Sequence, residues 1–299
     1  MKNIILIGVM ISTLIFAGCG NFGPCVGGSG PVEVEVRPLN DFTEISNAGA
    51  MDVYVTLSDE FHVEVVAEET LIPIIETNVS GNTLIIQTQD GTCYRSNTPV
   101  EVYVSLPYLE ALRLTGSGTL IADVAENQLI ECSNSGSGYL SIDTVYAENF
   151  SVGNTGSGTI DVFECYVDEL NLVQSGSGTI DFGIAYVSNE VAIRHSSSGH
   201  VRATILDVSV VDAIMSGSGH VDLSGEAFSA DYTLNSSGKI DALELEAAEV
   251  VATNTGSGRI FLWATEVLKA TITGSGDIVY RGEPTISFQI TGTGNIRSY

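Results

Sequence analysis

The sequence predicts an all-β chain wound as a right-handed parallel β-helix of about ten coils, each 18–21 residues long, and three observations carry that prediction. A small-residue triplet of the form Gly-Ser-Gly recurs ten times from Gly116 onward, with its closing glycine at 118, 138, 158, 178, 199, 219, 238, 258, 276 and 294. Two places after that glycine the residue is always aliphatic: Leu120, Leu140, Ile160, Ile180, Val201, Val221, Ile240, Ile260, Ile278 and Ile296. Finally, no part of the repeat region offers the ten or more residues of 3.6 period that a helix requires, which disfavours a leucine-rich horseshoe. The expected hand follows from the general right-handedness of parallel crossovers.

Within each coil the pattern places at least two short strands. Ala122, Ile142, Val162, Phe182, Ala203 and Leu223 lie two places beyond the aliphatic column, so both columns share one strand face, the core face. A second inward pair precedes each triplet, as in Phe150 and Val152, Leu170 and Leu172, or Val191 and Ile193. The triplet reads as a sharp corner at which glycine would supply positive φ. Its central serines should stack from coil to coil at roughly 4.8 Å. Four places before the closing glycine, Asn134, Asn154 and Gln174 suggest an amide ladder between coils, which Met215 and Leu234 interrupt further on.

Ahead of the repeats the chain divides in three. Residues 1–18 form a short apolar export segment with one lysine, ending in small residues before Cys19, and this resembles a bacterial lipoprotein signal. The resemblance implies cleavage before Cys19 and a lipid on its thiol, with residues 19–30 as a tether. The apolar run is shorter than the roughly 20 residues a membrane span needs. Residues 31–110 are strand-rich without the triplet, with alternating runs such as Val32–Val36 and Val100–Val104. They read as an irregular end that covers the core of the 111–299 repeat body, with one helical turn near Glu68–Ile72 limited by Pro73.

Net charge is −26, from 11 basic and 37 acidic residues; loss of the signal removes only Lys2 and leaves −27. Nucleic acid is excluded as a partner by that charge. Export permits disulfides. Cys25 and Cys93 both lie in loop-like sequence, and a bridge between them would pin the start of the fold, whereas Cys132 and Cys165 read as buried thiols.

Several segments in order resemble the putative auto-transporter adhesin, head GIN domain family of bacterial exported proteins. They are Arg37–Ile45, Asp52–Val55, Glu76–Val79 with Gly81–Ile86, and Leu106–Leu109 leading into Thr115–Gly118. The resemblance spans about residues 31–299. It implies a β-helical fold and an adhesive or cell-envelope role, and it carries no binding-site motif.

Two constellations invite a chemical reading. Asp161, Asp181, Arg202, Asp222 and Asp241 occupy one outward column in successive coils, so stacked carboxylates could attract a cation, or simply form a solvated face broken by an arginine. His200 and His220 follow the closing glycines of adjacent coils with Asp222 nearby, a candidate metal group such as Zn²⁺ would take. The same column otherwise holds Thr119, Tyr139, Lys239 and Arg259, a solvent-facing mixture. No metal or other cofactor is expected, and no Ser-His-Asp or Cys-His arrangement has supporting context.

The sequence therefore reads as a lipid-anchored, non-catalytic protein of the cell envelope, with the outer membrane expected, reached through the N-terminal lipid. Its role would be structural or adhesive toward a protein or glycan. One rival is a polysaccharide lyase or hydrolase, using carboxylates such as Asp181 and Asp222. Coils of at most 21 residues leave little room for cleft walls. Another rival is an envelope signalling or stress component.

Overall fold

The computed structural model describes residues 25–89 and 92–299, and the signal segment with Cys19 lies outside them. The amino-terminal part holds β1 (Val26–Gly27), β2 (Val32–Val36), β3 (Glu44–Asn47), β4 (Asp52–Leu57) and β5 (His62–Glu68). A single 3-10 turn at Ile72–Ile74 follows, then β6 (Ile75–Ser80), β7 (Thr83–Thr88), β8 (Tyr94–Arg95) and β9 (Glu101–Leu106). That turn starts later than the sequence suggested and contains Pro73, whose fixed φ suits an early helical position.

The repeat body begins with β10 (Ala111–Leu114), β11 (Thr119–Glu126) and β12 (Leu129–Asn134). Seven long strands wind on from there: β13 (Tyr139–Asn154), β14 (Thr159–Gln174), β15 (Thr179–His195), β16 (His200–Met215), β17 (His220–Leu234), β18 (Lys239–Asn254) and β19 (Arg259–Ile272). The last turn is β20 (Asp277–Arg281), β21 (Thr285–Ile290) and β22 (Ile296–Ser298). Every pairing from β10 to β22 is parallel and each coil stacks on its neighbour, so the chain is a β-solenoid, as the repeat pattern requires. The aliphatic column sits in one continuous core, with Leu120, Leu140, Ile160 and Ile180 fully buried.

The amino-terminal part is less irregular than its sequence suggests. Strands β3 and β4 form a full coil beneath β10 and β11, paired parallel through Leu112↔Ile45 and Leu120↔Val53. In that coil Gly49-Ala50-Met51 stands where the later coils carry the triplet: the amides of Ser117 and Thr119 donate to the carbonyls of Gly49 and Met51. Below it, β7 and β9 make another parallel rung. Antiparallel strands close the end: β6 on β7, and β5 then β2 on β9. Reversing strand direction ends the parallel stack, and Leu71, Ile72 and Ile75 plug the core there. Glu33 and Glu35 lie opposite Ala67 and Val65 on an edge strand whose residues are all exposed, so the edge carries alternating charge. Charged side chains on an edge strand blunt edge-to-edge pairing.

The triplet glycines owe their identity to close approach rather than to backbone sign. Among the described glycines positive φ is confined to Gly30, Gly81, Gly225 and Gly282, none of them in a triplet. A Cβ on Gly136 would lie 1.9 Å from the Gly116 carbonyl oxygen, and one on Gly158 would lie 2.2 Å from that of Gly138. Successive corners press backbone against backbone, so the closing position takes no side chain, while Ser197 and Ser236 fit at the opening position by donating to the Gly176 and Gly217 carbonyls.

The expected amide ladder is replaced by a clamp within single corners, wherever an asparagine stands in the column. Asn134 donates to the Gly138 carbonyl at 2.9 Å and to Thr159 in the next coil at 3.2 Å, while its Oδ1 accepts from the Gly136 amide. Asn47, Asn154 and Asn254 make the same set of bonds. Buried peptide groups at a corner need partners, and one asparagine supplies them.

Candidate functional site

The outward columns carry whatever chemistry the wall offers. The acidic column is in register as the spacing requires, Asp161 against Asp181, then Arg202, Asp222 and Asp241. Each carboxylate already has a donor. Tyr139 donates its hydroxyl to Asp161 at 2.9 Å, Arg202 pairs with Asp181 at 2.6 Å, His200 Nε2 lies 2.7 Å from Asp222, and Lys239 Nζ lies 2.6 Å from Asp241. These side chains are partly solvated, so each pair contributes little to stability.

His200 and His220 do stand side by side, with ring centroids 6.1 Å apart. Asp222 binds His200, and among the described residues no group of three or more His, Cys, Asp or Glu side chains converges as a metal site would need. Cys25 and Cys93 form a disulfide that ties β1 to the segment of β8. Cys132 and Cys165 are buried free thiols, and burial pushes the Cys165 thiol up to about 12, where no reactive thiolate forms at neutral pH.

A tyrosine row, unremarked among the sequence columns, marks the most distinctive outward feature. Tyr146, Tyr166 and Tyr186 face one another in register on β13, β14 and β15. Their rings stack with centroids 5.2 and 4.9 Å apart and planes within 10°. The signal was legible, because the three tyrosines are spaced by 20 residues, one coil. Tyr166 donates its hydroxyl to Glu164 at 2.8 Å, and that hydrogen bond, with some burial and nearby charge, pushes the phenol up to about 12. Tyr166 therefore presents a neutral hydroxyl at any physiological pH.

Two hollows flank the row and meet at Ala147. One, of about 540 Å³, lies between Pro107, Tyr108 and Tyr146, with the amides of Asn127 and Gln128 on its rim. The other, of about 440 Å³, runs past Tyr166 and Tyr186 over the buried Val167 and Val187 to Asp168, Ser188 and Asp207. Together they form a shallow groove along the solenoid axis over five coils, about 20 Å at strand spacing. Tyr108 is 68% exposed at its mouth. Aromatic surface beside amides and hydroxyls suits an extended polar ligand that also presents C–H surface.

Comparison with known proteins follows the same lines. A family model described as putative auto-transporter adhesin, head GIN domain, matches residues 41–204 and 184–284. No curated protein matches the sequence. Among solved structures, a putative lipid binding protein from Parabacteroides distasonis is similar at 25% identity with a TM-score of 0.57, covering 92% of this chain and 100% of that one. A putative adhesin from the same species is 21% identical, TM-score 0.56, with the same coverage. One from Parabacteroides merdae is 20% identical, TM-score 0.56, covering 93% and 100%. The last two likenesses concern the fold.

Proposed function

The chain belongs to the putative auto-transporter adhesin, head GIN domain family, and from that premise we propose that it is a non-catalytic adhesive protein of the bacterial cell envelope, anchored by a lipid on Cys19, that holds a glycan along the tyrosine groove. The observation that carries this reading is the stacked row Tyr146, Tyr166 and Tyr186 bordering a groove that runs along the axis. An elongated groove across several coils suits a chain-like ligand better than a small substrate. The acidic surface favours a neutral chain along it. The carboxylates a glycan-cleaving enzyme would use, Asp181 and Asp222, are engaged by Arg202 and His200. Adhesive family membership supports export to the cell surface, and the residues before Cys19 support the lipid.

The test uses the lipid-free chain carrying Cys19→Ser on a panel of envelope and neutral glycans. Binding should appear and should fall at least tenfold in Tyr146→Ala and Tyr166→Ala. Binding indifferent to both changes sinks the groove. Turnover of any glycan, lost in Asp181→Asn and Asp222→Asn, would instead install the enzyme reading. Membrane partition of the Cys19→Ser form would remove the anchor.

A further inference from the structure

Four cationic or imidazole side chains stand in one outward column of this acidic chain: His200, His220, Lys239 and Arg259, in register on β16, β17, β18 and β19. Like charges opposite one another in a sheet are destabilising, and the chain has only 11 lysines and arginines against 37 acids. Asp222 meets His200 and Asp241 meets Lys239, whereas Arg259, with Asp277 next in the column, forms no ion pair among the described residues.

A hollow of about 400 Å³ opens on this column. Its walls carry His220, Lys239, Arg259, the corner serines Ser218, Ser237 and Ser257, and the ring of Phe261. No carboxylate lines it, whereas Glu126 and Glu148, Glu169 and Glu190, Asp168 and Asp207, or Glu44 and Glu131 line the other hollows described. Every polar side chain in it is therefore able to donate a hydrogen bond. The Lys239 ammonium lies 5.1 Å over the Phe261 ring and also reaches Asp241. Arg259 has no ion pair among the described residues. A guanidinium, an ammonium and serine hydroxyls lining one hollow beside an aromatic ring are donors suited to an oxyanion.

We infer that this hollow binds an oxyanion group, a sulfate or carboxylate, with Arg259 and Lys239 supplying the charge and the corner serines the neutral donors. The site shares no lining residue with the tyrosine groove and depends on neither the groove nor the anchor. The surrounding acidic surface repels polyanions, so the ligand bears isolated charge, as an acidic sugar does.

Sodium sulfate is titrated into the lipid-free chain at constant ionic strength, set with sodium chloride, and followed by amide resonances. Expected is saturable movement of the Ser237, Ser257 and Arg259 signals with a Kd of about 1 mM. Arg259→Gln, at an exposed position, should weaken it about tenfold, while Asp241→Asn should tighten it by releasing Lys239. Glucuronate and a sulfated monosaccharide form two further arms. Tighter binding than sulfate assigns the site to a sugar-borne anion, and equal binding assigns it to the free anion. Signals that move linearly without saturating, or an Arg259→Gln titration that matches the unchanged chain, overturn the proposal. Normal resonance dispersion in each variant separates lost binding from lost fold.

Discussion

The side-chain nitrogen of Asn154 donates to the carbonyl of Gly158, 2.9 Å away and four residues on in the same coil, while its oxygen accepts from the Gly156 amide. A third bond crosses to Thr179 in the next coil. One buried side chain thus serves three peptide groups. Asn154→Ala removes all three bonds from a buried corner; the Gly156 amide keeps the Asn134 carbonyl and the Gly158 carbonyl keeps the Thr179 amide, and the expected loss is about 2 kcal/mol. Urea unfolding followed by circular dichroism measures it. Asn154→Gln should recover part of the loss, since Gln174 in the same column reaches the Gly178 carbonyl at 2.8 Å.

Steric rather than conformational demand at the corners makes a separate prediction. Gly158→Ala would set a Cβ 2.2 Å from the Gly138 carbonyl oxygen and 2.5 Å from the Asn134 amide nitrogen, so two coils must part. A loss of about 3 kcal/mol is expected, the upper range for overpacking. Gly153, within β13, has nothing within 4 Å of an added Cβ. Gly153→Ala should be neutral or stabilising by about 0.5 kcal/mol, because alanine loses less backbone entropy in a strand. Equal effects of the two changes on thermal unfolding would contradict the close-approach account.

The repeat body was legible in the sequence because stacking forces each column to repeat its chemistry, and the aliphatic residues after the closing glycine report directly on the core. The first coil was hidden for the opposite reason. Gly49-Ala50-Met51 takes the triplet's place without its composition, since the rung beneath it belongs to β7 and β9 and does not press a glycine corner against Met51. Asn47 was the surviving signal, four places before Met51 as Asn134 is before Gly138. Antiparallel closure by β5, β6 and β2 leaves no periodic trace, because alternating strands read alike in either direction. The tyrosine groove was legible only in part: the row repeats every coil, while Pro107, Tyr108 and Asn127 join it through the path of the chain between β9 and β12.

The Cys25–Cys93 bridge closes a loop of 68 residues that contains most of the amino-terminal cap. A cross-link of that span removes unfolded-state entropy worth about 4 kcal/mol in the chain-entropy model. Replacing both residues by serine should cost about 2–4 kcal/mol in the unfolding of the cap and much less in the coils beyond β13. Hydrogen exchange resolves the two: faster exchange is expected at β1, β2 and β5, and little change at β15. Uniform acceleration along the whole solenoid would contradict a local role.

His195 continues the asparagine column and is buried, at 1% exposure. Its Nε2 lies 2.8 Å from the Gly199 carbonyl and must donate, while Nδ1 accepts from the Ser197 amide at 3.4 Å. Both nitrogens are satisfied only in the neutral ring, since a proton on Nδ1 would face an N–H. Burial accordingly pulls the imidazole below its ordinary value, with the charges of His200 and His220 adding to the effect and the hydrogen bonds opposing it. In the unfolded chain the ring titrates near 6.5. A base whose folded value is depressed lends stability above that pH, and the contribution is lost as pH falls through about 6.5 toward the lower folded value, because the unfolded state then binds the proton first. For one proton the slope cannot exceed about 1.4 kcal/mol per pH unit. His195→Gln keeps a donor toward the Gly199 carbonyl, as Gln174 does for Gly178, and removes the titration. Between pH 7.5 and 5.5 the unchanged chain should lose more of its urea midpoint than His195→Gln does. If both lose the same amount, the acid sensitivity belongs to another group, and the neutral ring is not what holds this corner closed.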